Sequence, residues 1–334
     1  MNGGKTGITV AGSVIADKYH EIDTYPRLGF LTHVHKTSFN VGGAGNLILD
    51  LARLDDGLPI KVYTVVGDDG AGEHIVKTLK AFPHVNTEGV TVEGESSVTL
   101  VMNPADTKQR TFFYIPGASD IFDESYIDWN RADSKIFHLE YLLLMKRVDS
   151  PDERYGTHGA KILKMAKERG MITSIDMVSE QSDRVKAVVI PALKYTDICC
   201  INESEAEAVT GIDIMENGIP SEKKAREAVQ SLRALGVSGW IVIHSPKIGF
   251  GYDCFTDGFV SVDSLNLPEG FIKGTTGAGD AYCAGILYGA YKDMTLYESM
   301  LLARAAAACS LSEENGTDGM LSFTEVMSLN EKYK

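Results

Sequence analysis

Three short clusters in the chain combine glycine with side chains able to handle protons or phosphate. The first is Gly274-Thr275-Thr276-Gly277-Ala278-Gly279-Asp280, running into the small-residue stretch Ala281–Ala290. Glycines 277 and 279 let the backbone approach a ligand, and the amides opening a helix have no carbonyl partners. Such a helix start favours phosphate. A carboxylate at Asp280 would compete with that phosphate, unless it removes a proton from a hydroxyl attacking the transferring phosphoryl group. The same aspartate also fits a plain dipole partner in a first helical turn. The second cluster, Phe39-Asn40-Val41-Gly42-Gly43-Ala44-Gly45-Asn46, would bring backbone amides and the two-way hydrogen bonding of Asn46 to a polyhydroxyl ligand. It also fits a glycine turn that only starts a helix. The third, Asn202-Glu203-Ser204-Glu205, follows an apolar run. It suits either Mg²⁺ held through water by Asn202 and Glu205 or a helix N-cap with Glu205 completing a capping box.

These residues need a frame, and hydrophobic periodicity predicts one. Ile8–Ala16 reads as a buried strand ending at Asp17. Helix Gly45–Leu54, strand Lys61–Val66, turn Gly67–Gly70 and a helix to about Phe82 follow. The rhythm then breaks. Leu31–Phe39, Val90–Met102 and Arg110–Ile115 are strand-like without intervening helices, and they predict a separate small antiparallel sheet. Alternation resumes with strand Lys135–Met145, helix Gly156–Arg169 closed by Gly170, and strands Met171–Val178 and Asp197–Ile201. Helix Ser221–Leu235, stopped by Gly236, and strand Trp240–His244 come next. After another β-rich patch come helices Gly277–Lys292 and Leu296–Ser312. Strand–helix repetition predicts an α/β fold: a mainly parallel sheet with helices on both faces, plus a small β lid. The expectation is a single domain over 1–334 with lid insertions at about 18–40 and 90–118.

Composition narrows the function. Of 334 residues, 46 are Asp or Glu and 32 Lys or Arg, a balance of −14. This argues against nucleic acid or an anionic membrane as partner, both of which need a basic face. A small anion in a local pocket is compatible with it. The five cysteines have no CxxC spacing, no run of 18 apolar residues occurs, and no apolar segment follows the N-terminus. The expectation is a cytoplasmic protein. Gly3-Gly4-Lys5-Thr6 imitates a phosphate loop but precedes a strand instead of following one. The eight histidines lack zinc spacing, with His33 and His35 sharing a strand face. Asp176 reads as an ordinary strand-end carboxylate.

In order and with matching strand ends, Gly42-Gly43-x-x-Asn46, Asn202-x-x-Glu205 and Gly277-Ala278-Gly279-Asp280 resemble the motifs of the ribokinase-like (PfkB-type) carbohydrate kinase family. The resemblance spans Ile8 to about Gly316 and implies ATP-dependent phosphorylation of a sugar hydroxyl with Mg²⁺. It implies Asp280 as the base and the amides of Gly277, Ala278 and Gly279 as an anion hole. Asp17, Gly42, Gly43, Asn46 and Glu140 would be sugar contacts. Asn202, Glu205, Thr276 and Gly249 would serve the nucleotide and its phosphates. It also implies a lid that excludes water and, as in many relatives, a homodimer through the lid.

Three departures stand out. Gly274 replaces the Asp that helps hold K⁺ in potassium-activated relatives, which removes the ground for expecting K⁺ activation. Pro246-Lys247-Ile248-Gly249 replaces Gly-x-x-Gly, leaving donor preference open. Arg110-Thr111-Phe112-Phe113-Tyr114 is followed by Ile115-Pro116-Gly117-Ala118, which is more similar to ribokinase-type kinases than to fructose or keto-deoxy-acid kinases. A nucleoside kinase, with Phe39, Phe112 and Tyr114 as parts of a base clamp, and a silent sugar-binding regulator remain the alternatives.

Overall fold

The computed structural model describes residues 4–107, 110–180 and 182–334. Gly3 of the phosphate-loop imitation and Lys108 and Gln109 of the expected lid lie outside them. In chain order the elements begin with β1 (Ile8–Gly12), β2 (Val14–Ile22), β3 (Val34–Gly43), α1 (Ala44–Leu54), β4 (Ile60–Val66), α2 (Gly70–Lys80) and β5 (Val85–Val92). Next come β6 (Val98–Pro104), β7 (Thr111–Ile115), β8 (Ile136–Leu142), a single turn α3 (Lys146–Asp149), α4 (His158–Glu168), β11 (Ile172–Met177) and α5 (Val185–Leu193). The two-residue strands β9 (Pro151–Asp152) and β10 (Gly156–Thr157) pair just before α4. The remainder is β12 (Ile198–Asn202), α6 (Glu203–Thr210), a ribbon of β13 (Met215–Glu216) with β14 (Ile219–Pro220), α7 (Glu222–Leu235), β15 (Trp240–His244), β16 (Ile248–Asp253), β17 (Gly258–Asp263), α8 (Ala278–Tyr291), α9 (Leu296–Leu311) and α10 (Phe323–Lys332).

The large sheet has the order β17-β16-β15-β12-β11-β8-β1-β4-β5. It is parallel from β5 to β15, and β16 and β17 complete it antiparallel. Every residue of β1 is buried, as expected of a central strand covered on both faces. One core packs α1, α2, α8, α9 and α10 on one face, and a second packs α4, α5, α6 and α7 on the other. A second sheet, β3-β2-β6-β7, stands apart as the lid, with β2 antiparallel to β3 and parallel to β6.

Two expected strands turn out to be divided between the sheets. The run read as Ile8–Ala16 is interrupted at Ser13, so Asp17 lies within lid strand β2 and does not end the core strand. Likewise Val90 belongs to β5 at the edge of the large sheet, and only β6 enters the lid. At these crossings, buried serines carry the hydrogen bonding. Ser13 Oγ donates to Ser119 Oγ (2.9 Å), Ser97 Oγ accepts from the Ser119 amide (3.1 Å), and Ser96 Oγ accepts from the Gly67 amide (3.0 Å). Among the described residues, no helix is long and apolar enough to cross a membrane.

Candidate active site

A cleft of about 390 Å³ opens at the carboxyl ends of β8, β11, β12 and β15, under the lid. The start of α8 forms one wall. Gly277 is its N-cap with φ 79°, a conformation that suits glycine. A Cβ there would lie 2.6 Å from Gly316 Cα, so no larger residue fits. The turn leaves the amides of Ala278, Gly279 and Asp280 at the open helix end, where the dipole favours an anion.

Asp280 follows in the first turn, 9% exposed. Asn46 Nδ2, from the first turn of α1, donates to its Oδ2 (2.8 Å), and the Tyr141 hydroxyl donates to its Oδ1. These two bonds lower its pKa, but burial and the neighbouring Glu140 charge raise it more, to about 7. A carboxyl poised there can accept a proton near neutral pH.

Glu140 does not line the cleft. It is fully buried behind Asp280, so direct contact with a sugar does not fit its position. Its Oε2 meets His138 Nε2 at 2.9 Å, and His138 Nδ1 meets Ser174 Oγ at 3.0 Å; Glu140 Oε1 has no hydrogen-bond partner among the described residues. Oxygens of Glu140, Asp176 and Asp280 lie within 4.8 Å of one another. Burial, then Glu205, Glu140 and Asp280, push the Asp176 carboxyl far up. Asp176 therefore borders the cleft as more than a strand-end carboxylate. Asp176 is the member of this group that lines the cleft beside Asn202 and Glu205, a hard oxygen donor of the kind that fits Mg²⁺.

Asp17 reaches the cleft from β2, where burial raises it to about 6 against a bond from Thr99. Gly42 makes room for it: a Cβ at 42 would come 2.3 Å from Asp17 Oδ2. Gly43 and Thr276 line the cleft as well. Asn202 and Glu205 form the helix cap considered for them and also line the cleft. Asn202 caps α6 in a capping box, with the Glu205 amide donating to Asn202 Oδ1 (2.9 Å) and the Asn202 amide to Glu205 Oε2 (2.9 Å). Both residues still face the cleft. Ser179 Oγ adds a 2.7 Å bond to Glu205 Oε1, and burial raises the Glu205 pKa. Gly249 does not line the cleft. It sits on β16 opposite His244, where a Cβ would strike the Tyr282 hydroxyl at 2.3 Å.

Tyr141 and His244 are among the cleft residues that sequence reasoning missed. His244 ends β15 in register with Asn202 and stacks on Tyr282 (centroids 5.0 Å apart). Its Cε1 is 3.6 Å from where a Gly279 Cβ would be. Burial lowers its pKa to about 4, so the ring is neutral at physiological pH. The available signal was a polar residue closing an apolar strand beside the one closed by Asn202. Tyr141 offered none beyond following Glu140.

A doubly covered sheet with a β lid, its catalytic-type carboxyl at an anion-binding helix start, defines the chain as having a ribokinase-like fold. Solved structures agree. An Arabidopsis thaliana ribokinase complexed with ribose and ATP superposes with a TM-score of 0.77 at 21% identity, covering 98% of this chain and 99% of that one. A putative ribokinase II from E. coli in complex with ATP and Mg²⁺ gives 0.75 at 17%, covering 98% and 100%. Mouse ribokinase is 23% identical over 324 residues, 91% of this chain and 88% of its own length. The pfkB family carbohydrate kinase profile matches residues 5–322, and the chain belongs to that family. It is a carbohydrate kinase, a phosphotransferase.

Proposed function

We propose that the protein transfers the γ-phosphoryl group of ATP to a hydroxyl of a small sugar. The observation that carries this reading is Asp280, held by Asn46 and Tyr141 at the anion-binding end of α8 with its pKa near 7. The sugar O–H loses its proton to Asp280, the oxygen bonds to the γ-phosphorus, and the bond to ADP breaks. Amides of the Gly277–Gly279 turn receive the charge that builds on the phosphoryl oxygens. Asp17, Gly43 and Asn46 grip the sugar, and Gly42 leaves room for the Asp17 carboxyl. Glu140 serves from behind by keeping the Asp280 pKa up, with no contact to the sugar. Asp176, with Asn202 and Glu205, would hold Mg²⁺, which offsets phosphate charge when bound. Lid sheet β3-β2-β6-β7 closes over the acceptor and excludes water.

Residues 1–334 act as one catalytic domain. Leu28, Phe30 and Leu31, 101%, 74% and 81% exposed, give the lid an apolar margin suited to a second copy. Five unpaired cysteines suit a reducing compartment such as the cytoplasm. Phe112 and Tyr114 line the cleft, which keeps a nucleoside acceptor as a second reading. Mg²⁺-dependent ADP release is measured against pentoses, hexoses, keto-acids and nucleosides. Release with a sugar supports the proposal, release only with nucleosides favours the second reading, and sugar binding without release favours a regulator.

A further inference from the structure

Arg110 precedes β7 in the lid, and its guanidinium reaches from the lid to the turn before α8. Nη1 donates to Thr276 Oγ1, and Nη2 donates to the Glu314 carbonyl at 2.8 Å. The group also lies over the Tyr19 ring of β2, 5.6 Å from its centroid. It therefore bridges two lid strands, the turn that opens α8, and the loop that follows α9.

Gly274 shows why an arginine fits there. A Cβ on it would lie 2.9 Å from Arg110 Nη2, from the Glu313 carbonyl and from the Glu314 carbonyl. Two carbonyl oxygens just past the carboxyl end of α9 thus converge on the point that the guanidinium reaches. That point is electronegative from both the carbonyls and the helix dipole. A side chain at 274 would crowd both the end of the arginine and the two carbonyls. The turn is otherwise tied to α9 by neutral bonds, from Ser310 Oγ to the Thr276 and Gly316 carbonyls (3.2 and 2.9 Å).

We propose that Arg110 is a lid-borne internal cation, which locks the anion-hole turn when the lid is shut and makes turnover independent of diffusible monovalent cations. The inference rests on the kinase reading above. Guanidinium is always charged and presents a rigid fork of donors, so it can hold a hydroxyl and a carbonyl at once. Fixing Thr276 fixes its neighbour Gly277 and hence the aim of the Ala278 and Gly279 amides. Arg110 is a positioning residue: it acts through that turn, and displacement of reacting groups by about 1 Å can lower a rate by roughly 10²-fold.

The test uses the full-length protein with the acceptor found in the panel. Wild-type kcat should be the same in Na⁺, K⁺ or a bulky organic cation. Arg110→Ala should lose roughly 10²-fold in kcat, more than KM changes, and recover a large part of it with guanidinium or K⁺. Arg110→Lys should keep part of the rate. Gly274→Ala, which crowds the end of the intact arginine, should give the same defect, and the double variant no further loss. A wild type stimulated by K⁺ overturns the proposal. So does an unchanged kcat in Arg110→Ala, or a loss with an intact melting transition that neither cation relieves. If the wild type phosphorylates no acceptor, the kinase reading fails on its own account. Hydrogen exchange at residues 275–279 then decides the lock: faster in Arg110→Ala supports it, unchanged overturns it.

Discussion

Asp280→Asn separates the chemistry of the site from its stability. Below pH 3.8, the ordinary aspartate value, the carboxyl is protonated in folded and unfolded chains alike and contributes nothing. Between there and about 7 only the unfolded chain ionises, so stability falls as pH rises; above about 7 the deficit is constant. A rise from 3.8 to about 7 corresponds to roughly 4 kcal/mol. The amide cannot ionise, and it can still accept from Asn46 while donating to the Tyr141 oxygen. The variant should therefore match wild type near pH 4 and exceed it at pH 8 by up to ~4 kcal/mol. For a chain of this size that is on the order of 5 °C in Tm. Turnover should fall by ~10²–10⁴ because the base is gone. Calorimetry at the two pH values, without ligands, and a coupled ADP assay read the two effects. Equal Tm at pH 8 would refute the account of the buried carboxyl, and wild-type turnover would refute the base.

Further outcomes follow from other sites. In wild type, kcat/KM should rise with pH through about 7 as Asp280 ionises, a limb that the Asn variant lacks. Asp17→Asn should raise the KM for the acceptor by about 10–100-fold with a smaller effect on kcat, the loss expected of one charged hydrogen bond. Asp69 caps α2 through the Ala71 and Gly72 amides and also holds Ser96. Asp69→Ala should lower stability by ~1–2 kcal/mol in urea titrations. Gly285 passes so close to α9 that a Cβ would lie 2.5 Å from Ala303 Cα. Gly285→Val should therefore cost at least ~1–3 kcal/mol from overpacking.

The large sheet was legible because its strands are short apolar runs separated by amphipathic helices, and Asn46, Asn202, Glu205 and Asp280 lie where such elements meet. What escaped was whatever periodicity does not encode. The strand through Ser13 and the segment from Val90 to Met102 change sheets with no change in apolar character, so the sequence could not say that Asp17 rides on the lid. Helix α5 is apolar nearly all round and contains Pro191, which hid it. Among functional residues, the misses are those placed by contacts across the fold. Glu140 is separated from the cleft by Asp280 itself, Gly249 faces Tyr282, and Arg110 meets Thr276 from 166 positions away. Motif spacing singled out Asp280; only packing reveals what sets its pKa.

The serines where the chain passes between sheets have a consequence for stability. Ser13, Ser96, Ser97 and Ser119 are all buried at that boundary, and their hydroxyls each offer one rotatable donor and two acceptor sites. This set of hydroxyls pairs the Gly67 and Ser119 amides that the two sheets leave over at their boundary. Replacing it with alanines would not empty the cleft of any ligand contact. It would leave those two buried amides without acceptors, and the penalty would appear as lost stability where the lid joins the core, about 1–3 kcal/mol for each amide.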